Sequence, residues 1–107
     1  MAMQVRVVEN GVQLKQELQN LQELGFAPDN IYVLTHDDQR THHLAEKTDA
    51  NEIGFSEAGM LNSIANLFRS KGEELRSKME SMGLSEREAE LYEQQLDRGR
   101  VLIIARD

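Results

Sequence analysis

The N-terminal third of the chain alternates between short β-forming runs and a helical stripe. Gln4–Val8 carries β-branched valines among polar neighbours, which is the pattern of a half-buried strand. Residues 31–35 are again rich in β-forming side chains. Between these runs Leu14, Leu18 and Leu21 recur at helical spacing. The region therefore predicts a βαβ unit, in which one helix connects two strands.

Three helices are predicted in the rest of the chain, and two of them lie before residue 83. Residues 40–47 form a short helix that turns Leu44 and Ala45 inward, whereas residues 51–59 are predicted to be a loop. A long helix is predicted from about residue 57 to residue 82. Gly72 interrupts it at a cost of about 1 kcal/mol against alanine, which allows a bend or break at that point. The apolar stripe of this helix consists of Leu61, Ile64, Leu67, Phe68, Leu75, Met79 and Met82.

The C-terminal region supplies the last helix and the last strand. Ser85 and Glu88 have the spacing of a capping box, which predicts the start of a helix at this point. Val101–Ala105 is apolar at every position. A continuous apolar run is typical of a strand in the middle of a sheet or covered on both faces.

Together these elements predict an α+β fold with the order β-α-β-α-α-α-β in one domain that covers residues 1–107. We expect a small three-stranded sheet in which the C-terminal strand lies centrally and antiparallel to both neighbours, as in a split βαβ arrangement. The alternative is a parallel position for this strand at one edge. The helices are expected to cover one face of the sheet.

Charge and composition narrow the classes of function. Lys and Arg number 12 against 19 Asp and Glu, and the net charge of −7 argues against nucleic-acid and anionic-membrane partners. No apolar run approaches the ~20 residues of a membrane-spanning helix. Because no signal-peptide pattern is found either, we expect a cytoplasmic protein. The absence of cysteine excludes disulfides, thiolate metal sites and cysteine nucleophiles.

The clearest concentration of polar side chains follows the second predicted strand. Ligands commonly bind at strand ends in open α/β sheets. The candidate ligand-binding residues are therefore His36, Asp37, Asp38, Arg40 and Thr41. The competing interpretation is an exposed turn that leads into a polar helix, with Asp38 or Thr41 as the N-cap.

His42 and Glu46 are four residues apart, so a helix places them on one face as candidate metal ligands. Neither an H-E-x-x-H motif nor a cysteine accompanies them, and further ligands are not identified. No dinucleotide-binding or phosphate-loop pattern is found, so no cofactor is predicted. The serines lack a G-x-S-x-G elbow and the histidines crowd into one segment, which predicts that the protein is not an enzyme.

Three segments carry a resemblance to a known family. They are Val-Leu-Thr-His-Asp-Asp-Gln-Arg-Thr at 33–41, Lys-Gly-Glu-Glu-Leu-Arg at 71–76 and Gly-Arg-Val-Leu at 99–102. In these residues the chain resembles the bacterial heat-induced stress proteins of the YflT type, also called general stress protein 17M-like. The resemblance implies a cytoplasmic, stress-induced protein without an assigned reaction. It also implies a binding or docking role for residues 36–41, because packing alone demands little identity in a loop.

Two interpretations follow from the sequence. The first is a non-enzymatic general stress protein that acts through protein contacts or self-association, as a homodimer that uses an exposed face or edge of the sheet. The alternative is a small-molecule or metal-binding module that uses the segment 36–46. The two are distinguished by whether the side chains of this segment converge in a pocket or diverge.

Overall fold

The computed structural model describes residues 3–48, 50–53 and 70–106. Within these ranges the chain forms four α-helices and four strands, and a 3₁₀ turn at Pro28–Asn30 leads into the second strand. In chain order they are β1 (Gln4–Val8), α1 (Gly11–Glu23), β2 (Ile31–Leu34), α2 (Asp38–Lys47), β3 (Asn51–Glu52), α3 (Lys71–Ser81), α4 (Glu86–Asp97) and β4 (Val101–Ala105). None of the helices in these ranges is long and apolar enough to cross a membrane.

The sheet has the strand order β1-β4-β2-β3. Strand β4 pairs antiparallel with β1, with Val5 opposite Ile104, and antiparallel with β2, with Val33 opposite Ile103. All five residues of β4 are buried. The α+β class and the central, antiparallel C-terminal strand are therefore confirmed, and the alternative position at one edge is wrong.

The prediction of a three-stranded sheet is wrong, because a fourth strand extends it. Strand β3 pairs parallel with β2, with Tyr32 opposite Asn51. The side-chain amide of Asn51 donates to the carbonyls of Pro28 (3.0 Å) and Ile31 (3.1 Å), which fixes this short strand against the start of β2. The predicted loop at 51–59 thus begins as a strand, and residues 54–59 lie outside the described ranges.

Helices cover both faces of the sheet, so the prediction that they cover one face is also wrong. Helices α1 and α2 pack on the face that includes Val33 and Ile103. Helices α3 and α4 pack on the opposite face, which includes Leu102 and Ile104. The physical reason lies in β4, because a strand that is apolar at every position needs cover on both sides.

The predicted helix from 57 to 82 does not run through Ser70. The backbone of Ser70 is extended (φ −149°), and its hydroxyl caps α3 by accepting from the Glu73 amide at 3.2 Å. The C-terminal part of the predicted stripe, Leu75, Met79 and Met82, is buried in the second core. The remaining stripe residues, Leu61, Ile64, Leu67 and Phe68, lie outside the described residues.

The capping box that begins α4 is confirmed. The Ser85 hydroxyl accepts from the Glu88 amide at 3.1 Å, and the Glu88 carboxylate accepts from the Ser85 amide at 2.9 Å. These bonds satisfy backbone donors that have no partner inside the helix. On the inner face of α4, Ala89 and Leu96 are buried.

Candidate functional site

The segment that contains the candidate ligand-binding residues connects β2 to α2. Asp37 has an extended backbone (φ −105°), and its side chain accepts from the Gln39 amide at 2.9 Å. Asp37 is therefore the N-cap of α2, and the prediction of Asp38 or Thr41 in that role is wrong. Asp38 is already the first helical residue, so its carboxylate is free to reach another element.

Thr41 is buried and serves the end of β2. Its Oγ1 accepts from the backbone N–H of Thr35 at 2.9 Å and lies 2.8 Å from the Thr35 hydroxyl. The Thr35 hydroxyl in turn donates to the Asp37 carbonyl at 2.7 Å. These bonds close the turn between β2 and α2, and they direct the Thr41 hydroxyl into the protein and away from solvent.

Arg40 joins α2 to two turns at the same end of the sheet. Its Nη1 donates to the Gly99 carbonyl at 2.6 Å, and its Nη2 donates to the Glu9 carbonyl at 3.4 Å. Gly99 has a φ of +86°, a conformation that strains other residues and that reverses the chain between α4 and β4. The guanidinium thus connects the end of β1 with the turn that leads into β4.

Asp38 joins α2 to α3. Its Oδ1 lies 2.5 Å from Lys71 Nζ and 3.6 Å from Lys78 Nζ, and Lys71 also binds Glu74 at 2.8 Å. Partial burial raises the pKa of the Asp38 carboxyl, but the hydrogen bond from Lys71 and the charge of Lys78 outweigh it, and the net pKa is lowered. The ammonium groups of Lys71 and Lys78 therefore stabilise the ionised form of the Asp38 carboxylate.

The candidate residues at 36–41 do not share one partner. The His36 ring nitrogen Nε2 lies 3.2 Å from Asp97 Oδ1 at the end of α4, whereas Asp38 contacts α3 and Arg40 contacts two turns. Each of these side chains makes a contact within the chain in a different direction. This divergence does not favour a ligand-binding module, and the ligand-binding role itself stays a prediction.

His42 lies between two carboxylates on the exposed side of α2. Its Nε2 is 2.9 Å from Glu46, one turn further along α2, and its Nδ1 is 2.7 Å from Glu52 on β3. Because the two nitrogens lie on opposite sides of the ring, one ion cannot replace both contacts. Within the described ranges no group of three potential ligands is arranged to hold a metal. His42 and Glu46 therefore contact each other directly in this structure, and their role as metal ligands stays a prediction.

The two carboxylates raise the pKa of His42 above its ordinary value of 6.5, with the Glu52 hydrogen bond as the largest contribution. Since the folded pKa exceeds the unfolded one, these ion pairs contribute their full stabilisation below pH 6.5 and lose it as the pH rises through the raised pKa. We expect an NMR titration of the His42 ring to show a larger downward shift for Glu52→Gln than for Glu46→Gln. An unchanged His42 pKa in both variants would contradict this arrangement.

A second surface feature lies between β1 and α4, away from the segment 36–46. It is a groove of about 420 Å³. Its lining residues are Val7, Glu88, Leu91, Tyr92, Gln94 and Gln95. The sequence pattern does not predict this groove. A weak signal was present, since Leu91 lies next to the polar face of α4 and Val7 lies on a strand that is polar at alternate positions.

Comparison with known proteins gives the relationship of this chain to others. Residues 3–99 match the family described as the heat induced stress protein YflT domain. The chain belongs to this family. General stress protein 17M of Bacillus subtilis (strain 168) is 44% identical over 103 residues, which cover 96% of this chain and 90% of that protein. No solved structure matches the chain with statistical significance.

The resemblance to the YflT family that was found in the sequence is therefore confirmed, and the structure gives its three segments a physical role. Asp38, in the first segment, binds Lys71 in the second. Arg40, also in the first, binds the carbonyl of Gly99 in the third. Segments that are far apart in the YflT-family sequence thus meet at one end of the sheet, where they connect α2, α3 and the turn before β4.

Proposed function

We propose that this YflT-family member is a non-enzymatic, cytoplasmic general stress protein that acts through protein contacts, foremost with a second copy of itself. Family membership and the name of its Bacillus subtilis relative support the stress role. The polar side chains at 36–41 support the non-enzymatic part, because their observed contacts are with the protein's own backbone and ion-pair partners.

The observation that carries the proposal is the apolar surface at the groove beside β1. Leu91 is 56% exposed and Val7 is 37% exposed, and both line the same groove. Single exposed apolar residues are common on protein surfaces, whereas apolar residues grouped beside an edge strand favour association. Self-association removes these side chains from water, which stabilises a dimer.

The net charge of the protein favours contact between two copies at one particular patch. A net charge of −7 makes two copies repel each other over most of their surfaces. Association then requires a patch that carries little of this charge. The groove meets this condition, because Glu88 is the only acidic residue among its lining residues.

Sedimentation velocity over a micromolar concentration series tests this proposal. We expect a reversible monomer–dimer equilibrium, in which the weight-average sedimentation coefficient rises with concentration to the value of a dimer. The same series at higher ionic strength is expected to give an equal or larger dimer fraction, since salt screens the repulsion between two acidic copies. A monomer throughout both series would overturn the proposed self-association.

A further inference from the structure

The geometry of the edge strand β1 indicates which surface two copies use to contact each other. We infer that two copies pair through antiparallel β1 strands, related by a two-fold axis at Val7, so that their sheets become one continuous sheet. The groove between β1 and α4 of each copy then lies at the junction. This inference rests on the proposed self-association and adds to it the surface, the symmetry and the register.

Strand β1 is the edge of the sheet that presents more backbone donors and acceptors to a second chain. Among residues 3–48, 50–53 and 70–106, β1 pairs with β4 on one side and with no strand on the other. It spans five residues, whereas the strand at the opposite edge, β3, spans two. An exposed row of backbone donors and acceptors is a template for pairing with another chain, and the longer edge provides more such bonds.

The charges at this edge are self-complementary. On the face of α1, Arg6 Nε lies 3.5 Å from Glu17 Oε2, so each copy brings one cation and one carboxylate to the junction. A two-fold axis places the Arg6–Glu17 pair of one copy beside the same pair of the other. On the face of α4, the Glu88 carboxylate accepts from the Ser85 amide at 2.9 Å, and the other groove residues are uncharged. Opposite charges are thus available where two copies meet, and like charges are few.

The register follows from Arg6. Its guanidinium Nη1 donates to the Val5 carbonyl at 3.2 Å and therefore lies along β1. An axis at Arg6 would put the two guanidinium groups directly opposite each other, which is destabilising in a strand pair. An axis at Val7 instead pairs Val7 with the second copy's Val7 and Arg6 with the second copy's Val8. Paired β-branched side chains are favourable in this position, and they lie beside both grooves.

Disulfide crosslinking tests the register, because the chain contains no cysteine and a single introduced cysteine can crosslink only between copies. Under mild oxidation at concentrations where the wild type is dimeric, we expect Val7→Cys to give covalent dimers. Opposed Cβ atoms in a strand pair are about 4.5–5.5 Å apart, close to disulfide geometry. Arg6→Cys and the exposed control Leu24→Cys are expected to crosslink at least about tenfold more slowly, because their Cβ atoms are further apart. Equal rates for Val7→Cys and Leu24→Cys, or fastest crosslinking by Arg6→Cys, would overturn the inference.

A matched pair of charge variants tests the groove. Leu91 and Leu24 are both 56% exposed, so Leu91→Glu and Leu24→Glu make the same chemical change at equally accessible positions. We expect Leu91→Glu to raise the dimer dissociation constant about a hundredfold, because it places two like charges at the junction. Leu24→Glu is expected to change it by less than about threefold, since its charge is remote from the junction and screened by salt. A wild-type dimer that both variants leave intact would overturn this surface while leaving the proposed self-association in place, whereas a wild-type monomer would overturn both.

Discussion

Alanine at Ile103 or at Ile104 is expected to lower the free energy of unfolding by about 2–5 kcal/mol in either case. Both side chains are fully buried on the central strand β4. They point to opposite faces of the sheet, Ile103 into the core with α1 and α2 and Ile104 into the core with α3 and α4. Each substitution leaves a cavity that the packed helix above it cannot fully close. The protein therefore loses both buried apolar surface and van der Waals contacts.

Equilibrium urea unfolding of the two variants measures this effect. Val12→Ala is the control, because Val12 is 69% exposed on α1 and its loss is expected to change stability by less than about 0.5 kcal/mol. If helices covered one face, one of the two isoleucine variants would resemble this control. Two large and similar losses are the signature of a sheet packed on both sides.

The central strand β4 shows which features of the fold the apolar pattern predicts and which it does not. The continuous run at Val101–Ala105 was sufficient to place β4 between its neighbours, because few other positions bury every residue of a strand. The same run also required cover on both faces, but the pattern within each helix does not say which face of the sheet that helix packs on. That choice is made by connections and by tertiary packing, which the periodicity of α1 or α4 does not contain.

The elements that the sequence pattern does not predict have weak local signals. Strand β3 consists of Asn51 and Glu52, two polar residues with low β-propensity, and it forms because β2 offers a partner. The apolar stripe continues across residue 70 and predicts a helix there, with Gly72 as the point that allows a bend or break. Ser70 begins α3 as its N-cap, a role that serine favours, but a single serine inside a continuous apolar stripe is a weak local signal.

The sequence predicts which residues form the candidate site, but it does not predict which residues they contact. The sequence pattern predicts the polar segment at 36–46 and the inward-facing residues Leu44 and Ala45 of α2, which pack against the core. The partners of that segment are distant in sequence. Asp38 binds Lys71, and Arg40 binds the carbonyl of Gly99, so neither contact follows from local spacing. Without these partners, internal ion pairs and free ligand-binding groups look the same in the sequence.

Thr41→Val is expected to lower the free energy of unfolding by about 1–3 kcal/mol, the cost of a buried polar group without a partner. Valine keeps the shape of threonine but removes the oxygen that accepts from the Thr35 backbone N–H at 2.9 Å. Thr35 and Thr41 are both buried, so water does not readily replace the lost acceptor. The Thr35 hydroxyl also loses a neighbour at 2.8 Å, which weakens the turn between β2 and α2.

Thr48→Val in the same helix region is the matched control for this substitution. The Thr48 hydroxyl donates to the Leu44 carbonyl at 2.8 Å and accepts from the Ala50 amide at 3.3 Å. Because Thr48 is half-buried and its bond from the amide is longer than that of Thr41, water can reach these groups, and the expected loss is below about 1 kcal/mol. Amide exchange measured by NMR should show faster exchange at Thr35 in Thr41→Val and not in Thr48→Val. Equal stability and unchanged Thr35 exchange would mean that the Thr35 amide has another acceptor, and the Thr41 hydroxyl would then be available to a ligand. The expected loss instead assigns that hydroxyl to the fold and removes Thr41 from the candidate ligand-binding residues.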